Sequence, residues 1–439
     1  MPEGWSLARV RDIAMVKGGK RLPKGASFSE EITTHAYIRV TDMKNHSVNI
    51  SNLRYISDEI FSAIKNYTIA KDDLYVTIAG TIGVVGEIPD KLDGMNLTEN
   101  AVKITNIAIN KSFLCIILQT DFVQQQFQDK THQVAMPKLA LERILSTLIP
   151  ICSSVQQQQI VDRFQIYDNF LSTIDTEKEE LQKIVSLSKS KILDLAIRGK
   201  LVPQDPNDEP ASVLLERIRS ENEELIKQGK IKRDKKESVI FKGDDNSYYL
   251  RTGGVEESLE DWRLDDLPET WKICCLGELC DYGDCINVNT EDIAEDAWIL
   301  DLEDIEKDTG TVLKKVTKAQ RNSVSTKHKF HSGQVLYSKL RPYLNKVVLS
   351  DADGYCTSEI LPLEFKNCVL PEYARYYLMS GTFIAYANHC SYGVKMPRLG
   401  TTDGKKAIFS LPPLSEQKRI VETIDFCFMQ LNKISEALA

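Results

Sequence analysis

At 439 residues, with 42% hydrophobic and 27% charged side chains, the chain has the make-up of an ordinary globular protein of two or three domains. Its net charge of −8 speaks against nucleic acid only when taken alone, because phosphate binding depends on where lysine and arginine cluster. The ten cysteines are scattered, the longest apolar run is of the order of Phe113 to Leu118, and the start has neither a basic nor an apolar leader region. A disulfide scaffold, a signal peptide and a membrane span are therefore not expected, and reduced thiols in a cytoplasmic protein are.

In chain order, Pro2-Glu3-Gly4-Trp5 opens a short mixed stretch ending at Asp12-Ile13, and Lys17, Lys20, Arg21 and Lys24 follow as a basic cluster. Asp73 to Ile78 is rich in β-branched and aromatic residues and predicts a strand. Gly80-Thr81-Ile82-Gly83-Val84-Val85-Gly86 has the spacing of a cofactor loop, but the turn Glu87-Ile88-Pro89-Asp90 follows where a helix should. A bend between strands is the better reading. Ser112 to Lys130 predicts a helix, Met136-Pro137-Lys138-Leu139 comes next, and Pro150 precedes a second helix that Ser154 can cap.

From Ile160 the apolar residues step by four and three through Phe164, Tyr167, Leu171, Ile174, Leu181, Val185, Ile192 and Leu195, a repeat of 3.5 residues typical of a coiled-coil seam. A helix from Ser154 to about Arg198 would be about 65 Å long at 1.5 Å per residue. The prolines at 203, 206 and 210 end it. A charged helix over Ala211 to Gly229, a basic tether from Lys230 to Lys236 and a linker from about 238 to 262 are expected next.

Then the chain repeats itself. Pro268-Glu269-Thr270-Trp271 and Glu278-Leu279 match the opening, Val335 to Ser338 predicts a strand, and Pro371 to Asn388 predicts a helix. Met396-Pro397-Arg398-Leu399 echoes residues 136–139, and Gln417 with Ile420-Val421 echoes Gln157 with Ile160-Val161. Pro412-Pro413 and the potential cap Ser415 precede a last seam of Ile420, Ile424, Cys427, Leu431, Ile434 and Leu438. Four motifs in one order, about 260 residues apart, indicate two homologous modules rather than a solenoid or propeller. Each module reads as α/β with a strongly curved mixed sheet and an attached long helix, and the two matching seams can bury each other. The last helix reaches Ala439, so two readings stand open: pairing along part of the central helix, with its distal half left for another subunit, or a last helix that is cut short.

The residues an enzyme needs do not assemble into a motif. There is no G-x-x-x-x-G-K-[ST] loop, the single Pro-Pro lies between leucines, and Glu364-Phe365-Lys366 has no upstream Pro-Asp to make a nuclease site. Cys274, Cys275, Cys280 and Cys285 lack zinc-site spacing and a nearby histidine. A non-catalytic chain with no metal of its own is expected.

Leu148-Ile149-Pro150 leading to Gln156-Gln157-Gln158-Gln159-Ile160-Val161, and Leu411 to Val421, resemble the boundary between target recognition domain and helix in the specificity subunit of type I restriction-modification enzymes. The Pro-Glu-x-Trp openings and Gly199 to Pro206 look like the same family, so the resemblance spans essentially the whole chain. It implies two similar target recognition domains, residues 1–152 and 263–413, separated by two long antiparallel helices, 153–200 and 414–439, in a pseudo-two-fold arrangement with 201–262 as linker. It further implies that each domain reads half of a bipartite, asymmetric site on double-stranded DNA. The helices would set the spacer and dock two methylation subunits that modify adenine N6. Restriction subunits would complete the assembly, with S-adenosylmethionine, ATP and magnesium on the partners and no membrane involved.

On that reading the candidate DNA contacts are Lys17, Lys20, Arg21, Lys24, Thr77 and Lys138 in the first domain, and Lys339, Arg341, Lys346, Lys395 and Arg398 in the second. Elements common to both copies suit backbone contact or architecture, whereas segments that differ, such as Thr77 to Gly83 against Ser338 to Leu344, suit specificity. Two alternatives are a scaffold that binds protein or carbohydrate and a free-standing methyltransferase or nuclease. A steep salt dependence of duplex binding separates the first from a DNA reader, and turnover by the isolated chain would mark the second.

Overall fold

The computed structural model describes residues 1–128, 138–229, 238–260, 267–321 and 324–438. They form two compact units, Met1–Thr176 and Glu177–Ala439.

In the first unit, Ser6–Arg9 pairs antiparallel with Leu148–Ile151, which ties the start of the module to the strand preceding the central helix. One four-stranded sheet runs in the order Arg54–Tyr55, Ala36–Ile38, Met95–Leu97, Thr68–Ile69, with the middle pair parallel. The other, antiparallel throughout, runs Met15–Gly18, Ala101–Thr105, Leu74–Thr77, Val85–Glu87. The alternate residues Leu74, Val76, Val102 and Ile104 point to one face and share a core with Phe113, Leu114, Leu118 and Phe127. The helix expected over Ser112 to Lys130 is two, Lys111–Gln119 and Asp121–Gln128, broken where the Thr120 hydroxyl donates to the Ile117 carbonyl. Residues 78–84 form a bend between Leu74–Thr77 and Val85–Glu87, with Gly80 and Gly83 at positive φ, while Val85 and Gly86 at the end of the glycine run already lie in the second strand.

The second unit repeats these parts. Lys272–Cys275 pairs with Ile408–Leu411, and a five-stranded sheet carries the parallel pair Trp298–Leu300 and Gly354–Thr357. Val347–Leu349, Val335–Ser338 and Ile360–Leu363 form the counterpart of the antiparallel sheet. Its helix pair, Pro371–Leu378 and Gly381–His389, breaks at Ser380, whose hydroxyl donates to the Tyr377 carbonyl and accepts from the Phe383 amide. The mixed α/β reading holds, and the duplication holds for the parallel pair, the antiparallel sheet and the helix pair, although the sheets have four and four strands in the first unit and five and three in the second.

Both copies of the repeated glutamine do one job. In the first unit buried Gln157 accepts from the Asn110 amide at 3.0 Å and donates to the Cys152 carbonyl at 2.8 Å. In the second, buried Gln417 accepts from the Leu370 amide at 2.8 Å and donates to the carbonyls of Cys368 at 2.8 Å and Pro412 at 3.1 Å. Asn110 and Leu370 are the N-caps of the helices at Lys111 and Pro371, so each glutamine fastens a long helix to its module through otherwise orphaned backbone groups.

The central helix spans Ser154–Ile197, 44 residues against the expected Ser154 to about Arg198, and the last helix spans Leu414–Ala437. Two capping expectations are corrected. The Ser153 hydroxyl, not Ser154, accepts from the Gln156 amide. Ser415 lies inside the last helix, which begins directly after Pro413 with no side-chain cap. Within the second unit the helices pack antiparallel: Leu193, Ala196 and Ile197 share a core with Ile420 and Ile424, and Lys189 reaches Asn432 at 2.6 Å.

Apart from Ile160, which packs against the first unit's core, burial along the central helix's seam is confined to this end. Val185 is buried and Ile192 and Leu195 half-buried, but Phe164, Tyr167, Leu171, Ile174 and Leu181 are exposed, as is Ile434, while Ile160, Leu431 and Leu438 are half-buried. The half left open is therefore the proximal one, not the distal half expected, because an antiparallel partner of 24 residues starts beside Ile197 and runs back only part of the way.

Between 201 and 262 the charged helix expected over Ala211 to Gly229 is present, and the part expected as linker from about 238 is folded where it is described. Ala211–Lys227 buries Ala211, Leu214, Leu215 and Ile218 in the core of the second unit. Ser238–Lys242, Tyr248–Thr252 and Val255–Ser258 make a three-stranded antiparallel sheet, with Ile240 and Leu250 packed against Ile273 and Ile408. The basic run at Lys230 to Lys236 lies outside the described residues. Gly199 ends the central helix at φ +64, where a Cβ would lie 2.5 Å from Pro268 Cγ. The next residues brace the last helix: Gln204 donates to Glu416 Oε1, Trp271 Nε1 donates to Glu416 Oε2 at 2.9 Å, and Arg419 grips Asp208 at 2.7 Å.

The Arg419 hydrogen bond holds the Asp208 carboxyl below its ordinary value. A carboxylate depressed in the folded state contributes stability above its unfolded value of about 3.9, lost as pH falls through the lower folded value. Asp208→Asn is accordingly expected to melt earlier than wild type at neutral pH, with the gap closing below about pH 4. A gap independent of pH in thermal scans would remove the ion pair as its cause.

Candidate nucleic-acid interface

Each module carries a loop after its central antiparallel strand, and the two loops are held alike. In the first unit the Ile78 amide donates to the Asn100 carbonyl at 2.8 Å, and the Leu139 amide to the Ile78 carbonyl at 2.9 Å. In the second, the Lys339 amide donates to Glu359 and the Leu399 amide to Lys339, both at 3.0 Å. Leu139 and Leu399, the last residues of the repeated Met-Pro-basic-Leu element, are buried beneath these loops. The element is therefore a brace that fixes where the loop emerges, and the segments expected to differ in specificity, residues 77–83 and 338–344, begin at equivalent points.

In the second unit Lys339, Arg341, Lys395 and Arg398 are brought together. Arg341 sits at φ +51, a left-handed conformation unusual for a bulky residue, and its amide donates to the Pro397 carbonyl at 2.7 Å. Arg398 is not a free reader: it grips the Glu359 carboxylate with three contacts of 2.9–3.1 Å and donates to the Met396 carbonyl. Lys346 likewise turns inward, its ammonium on the Leu302 carbonyl at 2.6 Å. Lys395 is exposed, and beside it Tyr343, Tyr392, Val394 and Met396 present apolar and aromatic surface that the basic-residue search missed.

The first unit differs in its details. Thr77, placed among the DNA contacts, is buried, with its hydroxyl donating to the Thr81 carbonyl and accepting from the Val84 amide, so it shapes the bend rather than facing a ligand. Ser338 occupies the matching place, donating to the Leu340 carbonyl. Lys17, Lys24 and Lys138 are exposed, and the Lys20 ammonium lies 5.4 Å from the centre of the Tyr67 ring. Arg21 binds Glu99 at 2.6 Å, in the segment that holds Ile78. Met136 and Pro137 lie outside the described residues. Thr98-Glu99 and Ser358-Glu359 are one more internal echo, whose acid anchors Arg21 in one copy and Arg398 in the other. An alignment of the two halves reveals it.

The cysteine group lies in the core instead of at a site. Cys274, Cys275 and Cys280 are buried, and burial pushes the Cys275 thiol up to about 12. Among the described residues no helix is long and apolar enough to cross a membrane.

Two modules that brace loops of differing sequence with one repeated element, each fastened to a long helix, define the class of protein. The model of the family described as type I restriction modification DNA specificity domain matches residues 2–184 and 268–437, so the chain belongs to that family. It is 28% identical over 319 residues to the type I restriction enzyme EcoAI specificity subunit of Escherichia coli, covering 70% of this chain and 50% of that one. It is 37% identical over 161 residues to the EcoEI specificity subunit of the same species, 37% of this chain and 22% of that one. The chain thus spans half or less of the length of these relatives. The crystal structure of the HsdS subunit from Thermoanaerobacter tengcongensis shares the fold at a TM-score of 0.51 and 16% identity, covering all of this chain and 93% of that one.

Proposed function

We propose that the chain is the sequence-reading subunit of a type I restriction-modification enzyme, each module reading one half of a bipartite, asymmetric site on double-stranded DNA. The observation that carries this reading is the pair of equivalently braced loops whose tips differ: a common frame suits a common task, and different tips suit different half-sites. The helices fix the unread spacer and offer docking surface to two methylation subunits that modify adenine N6, and restriction subunits join that core to cleave unmodified DNA. The chain itself does no chemistry. S-adenosylmethionine, ATP and magnesium belong to the partners, and the assembly works in the cytoplasm.

Arg341 is the best placed base reader, because Arg398 and Lys346 are held by protein groups while Arg341 is set on a fixed backbone at the loop tip. Arg341→Ala is expected to weaken binding by about 1–3 kcal/mol and to relax the sequence requirement in one half-site only. Competition binding with half-site variants measures this; equal affinity for every sequence, before and after the change, would exclude Arg341 from base reading.

A further inference from the structure

The repeated element is longer than Met-Pro-basic-Leu. Val394-Lys395-Met396-Pro397 has the counterpart Val134-Ala135-Met136-Pro137 in the first copy, so a valine and a methionine recur with the proline. The fold accounts for only the second half of this element. The Pro397 carbonyl receives the Arg341 amide, Arg398 is clamped by Glu359, and Leu399 is buried. Val394 is 103% exposed and Met396 about half exposed, so no packing within the unit fixes their identity.

The loop that carries them is built to hold a tip outward. Tyr392 and Arg398 exchange two backbone hydrogen bonds, of 3.1 and 2.9 Å, closing the base of the loop, and Gly393 turns the chain at φ +98. Three apolar or aromatic side chains, Tyr392, Val394 and Met396, therefore project from a short pinned loop whose flanks carry Lys395, Lys339 and Arg341. An apolar tip between cations suits a partner that is anionic on its outside and apolar within, which is the chemistry of a base-paired duplex.

Resting on the DNA-reading function above, we propose that Val394 and Met396 form an apolar wedge that enters the groove and presses into the base stack of the half-site read by the second unit. Recurrence of the same two residue types in both copies fits a contact with what all sequences share, a stack that can be parted, rather than with one particular base. Lys395 and Lys339 take the phosphates on either side, Arg341 keeps its base-reading role, and the wedge supplies deformation-dependent readout.

The test compares the wild-type complex, the chain co-expressed with its methylation subunits, with Val394→Ala/Met396→Ala and with the near-isosteric Val394→Thr. Each is titrated from low to high salt onto a duplex selected from a random pool by the wild-type complex, with 2-aminopurine placed in turn at each adenine of the two half-sites. Both variants are expected to bind about tenfold or more weakly, with the same slope of affinity against salt, since apolar burial is lost and phosphate contacts are kept. The 2-aminopurine fluorescence rise at one step of one half-site is expected to fall. Superimposable binding lines, or a shallower salt slope in the variants, would overturn the wedge while leaving DNA reading intact. A wild-type complex with no salt-dependent duplex binding would instead overturn the function on which it rests. Both substitutions are at exposed positions, and an unchanged melting temperature identifies the loss as one of binding.

Discussion

Gln417→Ala is expected to destabilise the second unit by about 3 kcal/mol, a large effect for a residue that touches no proposed ligand. The buried amide satisfies the Leu370 N–H and the carbonyls of Cys368 and Pro412, and alanine would leave all three without a partner in a site closed to water. Each such group costs about 1–3 kcal/mol when stranded, partly relieved where the chain relaxes. Gln157→Ala should cost less, because two groups rather than three lose their partner. Chemical denaturation of the single variants would measure both; equal and small losses would show that the two glutamines do not join helix to module.

Ile424→Ala is expected to cost about 2–5 kcal/mol, through lost burial and the cavity left between the two helices and the module. Ile424 is fully buried beside Ile420, Leu193 and Ile197, where no flexible chain end can collapse into the gap. Leu171→Ala, on the open part of the same predicted seam, removes an equal number of carbons from a side chain 63% exposed and should stay within about 0.5 kcal/mol. Denaturant midpoints of the two variants test the pairing directly. Similar losses at both positions would mean that the open half of the seam is covered in solution.

Much of this was legible because periodicity and repetition are properties of a sequence. The 3.5-residue pattern from Ile160 marks the central helix nearly to the residue, and the echo at Gln157 and Gln417 marks two side chains with one role in the structure. What composition could not convey is which side of a residue the fold consumes. Thr77, Arg398 and Lys346 carry the right chemistry for DNA, yet burial within its own bend claims Thr77, and Glu359 and the Leu302 carbonyl, both far away in sequence, claim Arg398 and Lys346. The stretch expected as linker from about 238 holds three short strands, joined by turns at Gly243 and at Gly253-Gly254. The seam showed where helices want partners but not how far the partner reaches, which depends on the antiparallel start beside Ile197. Val394 and Met396 carry no such signal, since apolar residues point to a core until a structure places them outside.

The central claim, one chain with two homologous readers for two half-sites, is tested most directly by mapping N6-methyladenine across the genome of a host before and after it receives the intact three-subunit system. The account predicts one new asymmetric motif, two short specified blocks separated by a fixed run of unspecified bases, with Arg341→Ala degrading only one block. A single uninterrupted motif, or one whose two blocks degrade together in that variant, would contradict it.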